Sequence, residues 1–299
     1  MNWGWRRTGG LTLGGLSRTI REKSRTPDLS PNLKHAMKIL PSTIVLLLAV
    51  GTLWAEEKPF ASVLELPSTY VVGGVQGGKW LNSEKAGRKL SGGKTSYRVY
   101  NLGGYVGTVT AGKASPDAEV CPDVWLQKVK PEAEGEKVTI GVNAKWDPLP
   151  RKATLVKEPG EDLVEYTKGW LREKKLHKAG VKITQVARVD LDGDGTEEVI
   201  FSAAEADLEK PEAENYSFVA VRKMVGGKWQ TQTLGSSFHA QGGKEVLPEI
   251  FSVTGLLDLN GDGKLEVITD SLYYEGGGAY VWQLQGDKLV KVLAVDCGV

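Results

Sequence analysis

Cysteine and histidine are scarce in this 299-residue chain, with two of the first and three of the second, and each scarcity closes off a class of chemistry. Two cysteines without paired histidine spacing are too few ligands for a zinc site. Cys121 and Cys297 could form one disulfide or stay as two buried thiols, and the sequence leaves both open. Beyond residue 56 only His177 and His239 remain, neither in a catalytic pattern. A G-x-S-x-G elbow, an H-E-x-x-H pair and a phosphate loop are all missing, and the Gly-Gly pairs at 73, 77, 92, 103 and 242 read as turns. No apolar run approaches the ~20 residues needed to span a bilayer, so no transmembrane anchor is expected. No dense Lys/Arg cluster follows residue 56, which removes the electrostatic footprint of nucleic-acid binding.

What is present begins with a targeting signal. Met37 and Lys38 form a short basic start, residues 44–50 are uninterruptedly apolar, and Ala55 offers a small residue before Glu56 and Glu57. Residues 37–55 therefore read as a signal peptide, and the product as extracytoplasmic, secreted or periplasmic. Residues 1–36 carry seven Lys/Arg against Glu22 and Asp28 and read as an upstream extension outside the folded product. The same composition suits an Arg-rich transit peptide, although the signal sequence behind it does not. Residues 1–55 hold eight of the 38 basic and two of the 37 acidic residues, which leaves 30 basic against 35 acidic beyond them. That mildly acidic balance favours cations as ligands.

The remaining chain divides by composition into a Gly-rich mixed β domain over 56–145, a linker over 146–160 marked by Pro148, Pro150 and Pro159, and a repeat region over 161–299. Strands are predicted at 69–72, 97–102, 105–110, 124–129 and 137–142, with a short helix over 82–90 behind an Asn82 or Ser83 cap. The spacing of Leu163, Tyr166, Trp170 and Leu171 predicts a helix over 161–178, acidic at its start and basic at its end.

An internal repeat follows. Each unit runs through a strand, an acidic loop, a second strand and a hairpin turning at Gly226-Gly227 or Gly286-Asp287. The first unit is longer before its hairpin, and the excess falls in an Ala/Glu/Asp-rich insertion over 203–215. The expected class is mainly β with minor α: a small mixed domain, then two blade-like four-stranded antiparallel repeats in an incomplete propeller-like arrangement.

The loops are DLDGDGTEE at 190–198 and DLNGDGKLE at 258–266. Oxygen side chains at positions 1, 3, 5 and 9, separated by glycines free to take φ > 0, suit a hard divalent cation, most naturally Ca2+. The candidate ligands are the side chains of Asp190, Asp192, Asp194 and Glu198 with the Thr196 carbonyl, and those of Asp258, Asn260, Asp262 and Glu266 with the Lys264 carbonyl. Position 12 is Phe201 or Thr269, so neither loop is an EF-hand, which needs a bidentate glutamate there. Without metal, such loops would serve as Asx-type turns.

The nine-position loop followed by an apolar strand, over 181–299 only, resembles the FG-GAP or integrin alpha-type (VCBS-like) repeat, whose Asp-x-Asp-x-Asp-Gly loops bind calcium in propeller blades. The resemblance implies a calcium-stabilised, non-catalytic module that binds a protein or cell-surface partner. Position 9 departs from the family, being Glu where Asp is commoner, and two units are too few to close a propeller. Trp80, Trp125, Trp146, Trp170, Trp229 and Trp282 motivate a second reading, a carbohydrate-binding accessory protein with a cell-surface glycan as partner, which requires an exposed coplanar pair. A third, a hydrolase with an unmarked acidic site, has no local signature to support it.

Overall fold

The computed structural model describes residues 59–132, 137–243 and 247–298; the signal-peptide and extension readings fall outside the described residues. The described residues all belong to one compact unit. Its elements are β1 (Phe60–Leu66), β2 (Val71–Gln76), β3 (Lys79–Leu81), α1 (Ser83–Leu90), β4 (Thr95–Asn101), β5 (Gly104–Ala111), β6 (Ser115–Pro116), β7 (Trp125–Leu126), β8 (Val129–Lys130), β9 (Thr139–Asn143), β10 (Thr154–Leu155) and α2 (Glu161–Glu173). The two repeats follow as β11 (Ile183–Val189), β12 (Glu198–Glu205), β13 (Asn215–Val225) and β14 (Lys228–His239), then β15 (Ile250–Leu257), β16 (Glu266–Tyr273), β17 (Gly276–Gln285) and β18 (Lys288–Gly298).

Each repeat is an antiparallel meander, the first extended at its edge by β10: the sheet orders are β10-β11-β12-β13-β14 and β15-β16-β17-β18. The N-terminal sheet is seven-stranded, ordered β3-β2-β1-β9-β4-β5-β8, and β6 pairs with β7 separately. None of the sheets closes into a barrel, and the described residues are mainly β with two helices.

Strand alternation explains how the layers stack. In β16, Ile268 joins a core with Val63, Val72 and Ile140 of the N-terminal sheet, while Val267 faces the other way into a core with Ile200, Val219 and Val221 of the first repeat. The first repeat turns its remaining face, through Phe201, Phe218 and Ala220, onto Leu163 and Leu171 of α2. The N-terminal sheet likewise turns Leu64, Val71 and Tyr97 onto Ala86 and Leu90 of α1. The order is therefore α1, N-terminal sheet, second repeat, first repeat, α2. Three sheets stack like neighbouring propeller blades, and the helices cover the two faces that a closed ring would bury against further blades.

Glutamine side chains fasten the repeats to each other. Gln185 on β11 donates to the Val253 carbonyl at 2.9 Å and accepts from its amide at 2.8 Å. Gln232 on β14 does the same to Leu289, at 2.6 and 2.8 Å. Each carboxamide thereby completes a backbone pair that the neighbouring sheet leaves open.

Several elements differ from the sequence expectation. The strand β1 has no counterpart there: its run is buried on both faces, so the polar alternation that marks a half-buried strand is absent. The single strand expected over 124–129 is instead the pair β7 and β8, interrupted at Gln127, which is fully buried, donates to the Gly112 carbonyl and accepts from the Tyr97 hydroxyl at 2.6 Å. The helix α2 stops at Glu173 rather than 178. Lys175 takes φ 66°, Leu176 N donates to the Leu171 carbonyl at 2.9 Å, and Leu176 is buried, a Schellman stop driven by its apolar contact. The cap on α1 is Asn82, whose Oδ1 accepts from Lys85 N at 3.2 Å.

Candidate functional site

The two acidic loops fold alike, residue for residue. Asp190 accepts from Gly193 N at 2.6 Å and Gly195 N at 2.9 Å, and Asp258 from Gly261 N and Gly263 N at 2.7 and 2.9 Å. Asp194 accepts from Thr196 N at 2.7 Å, Asp262 from Lys264 N at 2.8 Å. At position 9, Glu198 and Glu266 turn under the loop and accept from the amides of Leu191 and Leu259, each at 2.8 Å. Glycines at positions 4 and 6 have φ between 75° and 88°, the left-handed conformation that the sequence pattern demands.

One carboxylate oxygen from each of Asp190, Asp192 and Asp194 lies within 4.8 Å of the others. The donor set is all oxygen, with carboxylates at alternate positions, and it fits a hard cation of the calcium type rather than a soft transition metal. Thr196 and Lys264 are exposed at the loop tips; Glu198 and Glu266 are buried beneath them.

The loops differ in how their charge is balanced. In the first, Lys223 Nζ from β13 sits 2.6 Å from Asp192 and 3.2 Å from Glu198. Burial opposes ionisation of Asp192, yet the hydrogen bond and charge of Lys223 hold its carboxyl below the ordinary range. At the deeper Glu198, burial wins and the carboxyl is raised. In the second loop, β17 offers Gln283 at the matching register beside β16, and among the described residues no basic side chain forms an ion pair with Asp258, Asp262 or Glu266. Burial, reinforced by Asp262 and Asp258, pushes Glu266 up to about 9. Its other oxygen accepts from the Asn260 amide at 3.2 Å.

The loops also touch. Leu265 N donates to the Leu191 carbonyl at 2.8 Å. Arg151 clamps the pair, its guanidinium donating to the carbonyls of Asp190 at 2.7 Å, Leu191 at 3.1 Å and Gly263 at 2.7 Å. Trp146 Nε1 donates to the Asp258 carbonyl at 2.9 Å, and Asp258 N to that of Pro148 at 2.8 Å. The Pro-marked segment over 146–160 thus straps the loop pair to the N-terminal sheet.

Cys121 and Cys297 are joined in a disulfide. Among the six tryptophans named above only Trp229 is exposed, at 47 %, so the coplanar exposed pair that a glycan platform requires is not formed by these residues. His177 is exposed. His239 ends β14, and its Nε2 lies 2.7 Å from Ser237 Oγ. Among the described residues no carboxylate hydrogen-bonds to that ring, so the third member that would orient a base is missing.

A cleft of about 1140 Å³ opens at the other end of β15 and β16 from the acidic loops. It is walled by all three sheets and carries Glu65 from β1 and Asp270 from β16. Sequence reasoning missed both. The available signal was a charged residue at a core-facing strand position, since Glu65 follows the inward Val63 and Asp270 the inward Ile268 at the two-residue period.

No family model matches the chain, and neither a curated protein nor a solved structure does. The class defined by fold and site is therefore the structural one: a mainly β protein of stacked antiparallel sheets with two acidic loops of the same turn geometry, of which the first brings three carboxylates together.

Proposed function

We propose that this protein is an exported, calcium-stabilised repeat protein that acts as a non-catalytic binding module at or outside the cell surface. The observation that carries the calcium part is the pairing of the two loops: a cation in each would neutralise carboxylates at the seam where the repeats meet. The second loop has the greater need, because its buried Glu266 and Asp258 have no cationic partner among the described residues. Asp258, Asn260, Asp262 and Glu266 would hold one ion there, and Asp190, Asp192 and Asp194 the other. The metal supplies charge neutralisation and cross-linking, not catalysis, so the loops are staples. Export rests on the signal-type pattern over 37–55, and among the described residues no helix is long and apolar enough to cross a membrane. The FG-GAP resemblance supports a protein partner over a glycan, and the dispersed tryptophans agree.

Thermal melting tests this reading. With calcium ~100-fold above its dissociation constant, each bound ion contributes about 3 kcal/mol, and the melting temperature should rise roughly 6–12 °C per filled site over an EGTA sample. Asp258→Ala should remove the second loop's share of that shift. A wild-type melting temperature indifferent to calcium contradicts the metal assignment.

A further inference from the structure

We propose that the cleft between the three sheets is a binding site for a small organic cation, a primary ammonium on an apolar or aromatic stem, with the ammonium seated between Glu65 and Asp270. This goes beyond the calcium reading and does not depend on it.

Three observations converge. The cleft is large enough to take a small molecule. Its floor holds two carboxyls from different sheets, Glu65 only 6 % and Asp270 8 % exposed. Their side-chain partners are hydroxyls: Ser68 donates to Glu65 Oε2 at 3.0 Å and Ser252 to Asp270 Oδ1. The other oxygen of Glu65 accepts no hydrogen bond among the described residues, and neither carboxyl forms an ion pair there. Such groups ask for a cation, because an unpaired buried charge is expensive. The mouth, finally, is apolar. Val120, Leu155, Leu272 and Tyr274, four of the exposed large hydrophobics, all border this one cleft.

The charge balance selects the sign of the ligand. Glu275 joins the two acids along the walls, and Lys137 is the sole basic residue lining the cleft among the described residues. Asp296, held by the hydroxyls of Tyr273 and Tyr280 at 2.8 and 2.7 Å, adds negative potential from β18. An anion would meet repulsion, and a neutral apolar molecule would leave the acids unpaired. An ammonium satisfies both.

Proton linkage follows. Burial, with Asp270 and Asp296 adding to it, raises Glu65 to about 7, and burial raises Asp270 to about 6. Glu249, Asp117, Tyr70 and Tyr273 also face this cluster. A bound ammonium favours the ionised acids, so affinity should climb as pH rises through these values and fall below them.

The test uses three matched probes titrated calorimetrically into the full chain: tryptamine, its neutral analogue tryptophol and the anion indole-3-propionate. At pH 8 tryptamine should bind at least tenfold more tightly than either analogue, and at least tenfold more tightly than it does at pH 5. Glu65→Gln and Asp270→Asn should each weaken tryptamine at least tenfold and leave tryptophol unchanged. Both variants remove a buried charge, so their melting temperatures at pH 8 should hold or rise. Equal binding of tryptamine and tryptophol, tryptamine binding untouched by both variants, self-association that occludes the cleft, or no saturable tryptamine binding at millimolar concentration would each overturn the proposal. Repeating the titration in EGTA separates it from the calcium reading, since each can fail while the other stands.

Discussion

Replacing both Cys121 and Cys297 by alanine is expected to lower the melting temperature by roughly 10–20 °C, the largest effect of any change considered for this protein. The cross-link spans 176 residues and encloses both repeats, so without it the unfolded chain regains about 5 kcal/mol of loop entropy. At 2–4 °C per kcal/mol for a unit of this size, that is the stated shift. The bond also pins β18, the outer strand of the second repeat, to the segment that leads into β7, beside a core that Cys297 itself helps fill. The check is a differential scan with and without dithiothreitol. The wild type should fall to the melting temperature of the double variant, and the variant should not respond to the reductant. A wild type indifferent to reduction would show that the bond contributes no stability.

Lys223→Met should cost on the order of 3–5 kcal/mol in EGTA, or roughly 10 °C, because it strands the buried Glu198 and leaves Asp192 without its counter-charge. The methionine keeps the apolar stem, so lost packing is minor. In saturating calcium the loss should shrink by more than half, since a divalent ion can neutralise the carboxylates that the ammonium has left. Calcium and lysine are on this view partial substitutes in the first loop, whereas the second loop has Gln283 at the matching register and depends on the ion alone. Melting curves of wild type and variant in both buffers decide the matter, and a loss of equal size in EGTA and calcium removes the substitution argument.

Much of this architecture was legible because its signals are local. Asp/Gly spacing in the two loops encodes turns that need positive φ at Gly193, Gly195, Gly261 and Gly263 and carboxylates that cap their own backbone, and the structure forms both. The four-strand order of each repeat followed from the same periodicity and turns. What stayed hidden is non-local. That Arg151 from a proline-marked segment would hold two loops together depends on a contact between positions 112 residues apart, and no pattern within either segment announces it. The stacking of the N-terminal sheet as a third layer is hidden for the same reason, since β1 is buried on both faces and has no alternation to mark it. The helix α2 shows the limit of a boundary estimate: its charges run on to Lys178, but burying Leu176 ends the helix a turn earlier. Glu65 and Asp270 meet across a cleft that exists only once three sheets have packed.

The claim at the centre is that calcium staples the repeats through paired loops, and a calorimetric titration of calcium into chelator-stripped protein tests it most directly. The expected result is saturable binding at two sites per chain, with Glu266→Gln abolishing one and Asp190→Asn weakening the other. No binding in the wild type, or a stoichiometry that neither substitution changes, would contradict it.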